Sequence, residues 1–143
     1  MRAGCLALVF AAALLHAQEP APPGEALASF AARRFPQPVR VGQLEGRRVL
    51  EPVESRNVLG TVSAVVRRRD GGLDIVVKYG GPWGWGGRLI AVPVEAMVLL
   101  GSEVEILDFT PAQLDGFPTF ATGSAAPVAA DTIIQMGLAH PSH

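Results

Sequence analysis

Between Val58 and Tyr79, apolar and polar residues alternate on both sides of an Asp70-Gly71-Gly72 turn, and that constrains the fold more than any other feature. Successive strand residues point to opposite faces, so Val58, Gly60, Val62, Ala64 and Val66 form one apolar and small-residue face. Leu59, Thr61, Ser63 and Val65 form a mixed one. After the turn, Leu73, Ile75, Val77 and Tyr79 alternate with Asp74, Val76 and Lys78. Asp-Gly supplies the positive φ that tight hairpin turns need. The spacing predicts a hairpin whose first strand turns Val58, Val62, Ala64 and Val66 inward, toward Ile75, Val77, Val92, Val104 and Ile106. Gly60 then falls where a side chain would crowd the neighbouring strand.

Downstream, a glycine-rich loop runs from Gly80 to Gly87 and contains Trp83 and Trp85. Arg88 to Val94, Met97 to Leu100 and Glu103 to Leu107 read as further short strands, the first interrupted by Pro93. Thr110-Pro111-Ala112-Gln113 has the chemistry of a helix start. Thr caps, Pro suits the first helical position, and Gln reaches back to the cap. That helix stops near Gly116 and Pro118. Val39 to Val41 and Arg47 to Val53 are weaker strand candidates. The expectation is a mainly β chain, a small closed or partly open barrel of five to six short strands with one short C-terminal helix.

The start of the chain reads as an address. Arg2 precedes an apolar run of 11 residues, Cys5 to Leu15, too short to span a bilayer, and Ala17 is a small residue at the −1 position. Residues 1–17 are therefore expected to be a secretory signal cleaved before Gln18, and a retained anchor is the alternative. Removing 17 of 143 residues leaves 126, with no cysteine and a formal charge of −2. Neither a disulfide framework nor a Cys-rich zinc site is then available, and no stable transmembrane segment remains. Export together with the absence of a basic field removes nucleic acid from the expected partners. Residues 18–43 form a Pro-rich leader with a short helix expected over Glu25 to Phe35. Residues 44–121 form the folded domain, and 122–143 are expected to be a flexible tail with one apolar patch, Ile133, Ile134 and Met136.

The ordered set of pieces across residues 44–121 resembles the PRC-barrel domain, found in the photosynthetic reaction-centre H chain and in a ribosome maturation factor. The pieces are Leu44-Glu45-Gly46-Arg47-Arg48-Val49, Leu59-Gly60-Thr61-Val62, the Arg69-Asp70-Gly71-Gly72 turn and the loop ending in Gly87-Arg88. Leu89 to Pro93, Thr110 to Leu114 and Phe117-Pro118-Thr119-Phe120 complete it. Glu51 to Asn57 is longer and more charged than the family's turn, and the loop tryptophans are additional. The resemblance implies a small β-barrel used for assembly or interaction, with no shared catalytic residue and no cofactor.

Candidate chemistry is sparse. Outside the signal, the histidines are His140 and His143 in the expected tail, so a triad is poorly served and a metal site has little beyond their i, i+3 spacing. Glu103 and Glu105 share a strand face and admit a carboxylate-based envelope hydrolase, against the plainer reading of a solvated face opposite Val104 and Ile106. Arg67 to Arg69 reads as a solvated turn. Trp83 and Trp85 either anchor a contact or close one end of the barrel, with Tyr79 and Arg88 at their rim. The function expected from these residues is an exported, non-enzymatic module that binds a protein at the cell envelope.

Overall fold

The computed structural model describes residues 34–51, 57–81 and 87–138. The expected signal at 1–17 with its Ala17/Gln18 junction, nearly all of the leader helix, Trp83, Trp85, His140 and His143 lie outside the described residues.

The fold is mainly β. Nine strands are present among the described residues: β1 (Pro36–Arg40), β2 (Arg48–Leu50), β3 (Val58–Arg67), β4 (Leu73–Tyr79), β5 (Arg88–Pro93), β6 (Met97–Leu100), β7 (Glu103–Ile106), β8 (Ala126–Pro127) and β9 (Ile133–Leu138). They form one open sheet in the order β1-β9-β6-β7-β2-β3-β4-β5, with β8 added alongside β3. The path has two ends, β1 and β5, rather than the ring of a closed barrel. The strand count exceeds the five to six expected because both flanks of the 44–121 segment join the sheet. β1 pairs antiparallel with β9, and β9 pairs parallel with β6. The flexible tail expected over 122–143 is thus corrected through residue 138, since Ile134 and Met136 are buried in the core.

The β3-β4-β5 meander and the β6-β7 hairpin follow the sequence pattern closely, and parallel pairing of β2 with β7 joins them. The inward face of β3 is not continuous. Its register with β4 shifts between Val62 and Ala64, a bulge that puts one extra residue into the strand. Val62 and Val65 therefore both enter the core, whereas Ala64 is half-buried. Val58 lies ahead of this bulge, beyond a second register shift, with β2, and is 49% exposed. The expected face of Val58, Val62, Ala64 and Val66 is correct at Val62 only. Val66 is buried too, but apart from the main core cluster. Ile75, Val77, Val92, Val104 and Ile106 face the core as expected. At Gly60, an added Cβ would stand 2.0 Å from the Lys78 carbonyl oxygen, so glycine is required there.

Part of the opposite face of the sheet is also dry. Leu50, Glu105 and Val98 form a cross-strand row over β2, β7 and β6, all buried. Beside it, the Arg34 guanidinium bonds both carboxylate oxygens of Asp108 (2.8 and 2.9 Å) and the Glu95 carbonyl (3.0 Å). That contact ties the chain ahead of β1 to the exit of β7.

Candidate functional site

The β4–β5 pair carries a distinct constellation at each end. At the loop end, Tyr79 and Arg88 are direct cross-strand partners. Gly80 and Gly81 both adopt positive φ (82° and 76°), and a Cβ on Gly87 would lie 2.4 Å from the Tyr79 carbonyl oxygen. Glycine is thus demanded on both stems of the segment that holds Trp83 and Trp85. Against Tyr79 and Arg88 lies a short helix, Pro111–Asp115, which begins as the sequence predicts. Thr110 Oγ1 accepts from the Gln113 N–H, and Gln113 Oε1 accepts from the Thr110 N–H (2.8 Å).

Tyr79 and Arg88 clasp this helix. The Tyr79 hydroxyl donates to Asp115 Oδ1 at 2.5 Å, with the Pro111 carbonyl 3.2 Å away. Burial, then the hydrogen bond and charge of Asp115, push the phenol up to about 12. Arg88 donates to the carbonyls of Leu114 (3.3 Å) and Asp115 (2.8 Å) at the helix C-terminus, and to that of Phe117 just beyond it. Phe109 and Phe117 meet edge to face at 4.9 Å across the helix ends. Of the four residues singled out for contact, Tyr79 and Arg88 are brought together and turned toward this helix. Asp115, their shared partner, carried no sequence signal linking it to either.

At the other end, Arg68 bonds Asp70 and Asp74. Asp70 also accepts the Gly72 N–H at 2.8 Å, and this bond, followed by Arg68, holds its carboxyl below the usual range. The turn is thus tightly organised. Beside it lies an open groove of about 840 Å³ lined by Arg67, Arg69, the paired Arg68 and Asp74, Ala91, Phe120 and residues 123–127. Sequence reasoning passed over this groove because its far wall belongs to the segment read as a tail.

The paired carboxylates Glu103 and Glu105 sit in different settings on β7. Glu103 is ion-paired with Arg48, and Glu105 is only 8% exposed rather than on a solvated face. Neither lines the groove described above. Among the described residues no three His, Cys, Asp or Glu side chains gather as metal ligands, and no helix is long and apolar enough to cross a membrane. Compared with models of known protein families and with curated proteins, the chain matches none.

Proposed function

We propose that this protein is an exported, PRC-barrel-like interaction module that binds another protein at the cell envelope through the loop bearing Trp83 and Trp85. The observation that carries this reading is the clasp at the two strand ends, Tyr79 and Arg88, from which the loop departs. Tyr79 and Arg88 fix both stems to a capped helix through hydrogen bonds to Asp115, Leu114 and Phe117. A contact segment works best on a rigid support, because binding then orders fewer groups. Tryptophans are among the residues that most often carry the binding energy of a contact, because each supplies a large apolar area.

The test is the double variant Trp83→Ala with Trp85→Ala, compared with wild type for melting and for in-cell crosslinking to envelope proteins. A contact role predicts an unchanged melting temperature and a loss of crosslinking equivalent to about 2 kcal/mol or more of binding. If the pair instead plugs the sheet, stability falls by about 3–5 kcal/mol per buried Trp, and the contact reading is overturned. Intact-mass measurement on the exported fraction checks the compartment, with an N-terminus at Gln18 expected and a membrane-held chain retaining Met1 contrary to it.

A further inference from the structure

We propose that the groove beside Arg67 and Arg69 docks an extended, acidic segment of a partner protein. This deepens the interaction-module reading and rests on it, but places a second contact at the opposite end of β4–β5 from the tryptophan loop.

Charge is the first support. Arg68 is committed to Asp70 and Asp74, and those carboxylates are in turn committed to it. Arg67 and Arg69 are exposed, line the groove, and form no ion pair among the described residues; Arg67 gives one N–H to the Gly71 carbonyl. Two uncompensated guanidiniums therefore flank one opening, and guanidinium matches carboxylate geometry bidentately.

The shape of the groove is the second. Ala91, Phe120 and Pro127 give it an apolar lining, and residues 123–127 form a wall where the chain passes from the β5 edge to β3. The groove is open rather than enclosed, which suits a chain passing through it better than a small molecule sealed inside.

Backbone chemistry is the third. β5 ends the sheet, and its Leu89 carbonyl accepts the Phe120 N–H at 2.7 Å, so Leu89 turns outward. By alternation Ala91 turns its N–H and C=O outward as well, where it lines the groove. An extended occupant can bond that pair while its carboxylates reach the two arginines, as in other edge-binding peptides.

The probe is fluorescein-labelled hexaglutamate, titrated against the full chain by anisotropy at low ionic strength. Saturable binding is expected, weakening as salt is added and falling about tenfold or more in Arg67→Gln with Arg69→Gln, a pair of exposed changes that should leave melting unaltered. Lys78→Gln, an exposed change on β4 away from the groove, should bind as wild type does. Absence of saturable binding up to about 1 mM, or an equal loss in Lys78→Gln, overturns the proposal. So does arginine-dependent binding of inorganic phosphate or anionic vesicles without binding of the peptide. Crosslinking separates the two readings. Partner capture that survives the arginine change while hexaglutamate fails to bind sinks the groove alone, and loss of all capture in the wild type sinks the module itself.

Discussion

Tyr79 is the chain's single tyrosine, so its ionisation can be followed without ambiguity. Its phenol is pushed up to about 12 from 10.0 by burial and by Asp115. A group whose folded pKa is raised stabilises the fold fully below the unfolded value and loses that contribution as pH climbs through the folded one. The phenolate absorbance should therefore rise near pH 12 rather than 10, and stability should fall between those values by more than in Tyr79→Phe. A midpoint near 10 would show that the clasp to Asp115 is absent. A second pair of residues tests the bulge in β3. Val65→Asp, at a 1% exposed site, buries an unpaired charge and should cost more than about 4 kcal/mol in urea unfolding, whereas Ser63→Asp, at an exposed site, should stay within about 0.5 kcal/mol. Strict alternation puts both residues on one face and would make the two alike. The difference arises because the bulge is set by pairing with β4, and Val58 to Val66 alone contain nothing that marks Ser63 as the extra residue.

At the scale of elements, the sequence was most legible where chemistry is local. The Thr110–Gln113 capping box, the Asp70-Gly71-Gly72 turn and the β4 alternation are written within a few residues of where they act. β9 is the contrasting case. Ile134 and Met136 alternate with Ile133 and Gln135 as a half-buried strand should, but the partners that bury them lie in β1 and β6, far away in sequence. The surrounding small and polar residues made the same stretch look loose. The candidate site divides in the same way. Tyr79 and Arg88 were found because they flank a loop, while Asp115 and the 123–127 wall were not, because only tertiary packing brings them there. Met136 decides whether β9 is integral. Met136→Ala should lower stability by about 2–5 kcal/mol in denaturant unfolding, and a change below about 0.5 kcal/mol would restore the picture of a tail.

Across the whole molecule, an open sheet must manage two edges, and each is blunted differently. The Phe35 carbonyl and the Val41 N–H both bond toward β9 and its approach, so by alternation Pro36 and Pro38 face outward, where they offer no N–H. On β5, the Phe120 N–H occupies Leu89, and Pro93 removes another donor. Pro36→Thr with Pro38→Thr restores two donors to the β1 edge and should produce concentration-dependent self-association beyond that of the wild type in sedimentation velocity; sedimentation identical to the wild type would show the prolines to be incidental there. The position of β9 has a further consequence for biogenesis. Among the described residues the sheet neighbour of β1 is β9, and that strand also flanks β6. Chains emerge from their N-terminus at about 5–20 residues per second, so neither pairing can form until Ile133–Leu138 have left the ribosome. Synthesis order thus keeps β1 and one side of β6 waiting, long after both have been made, for a partner that arrives late.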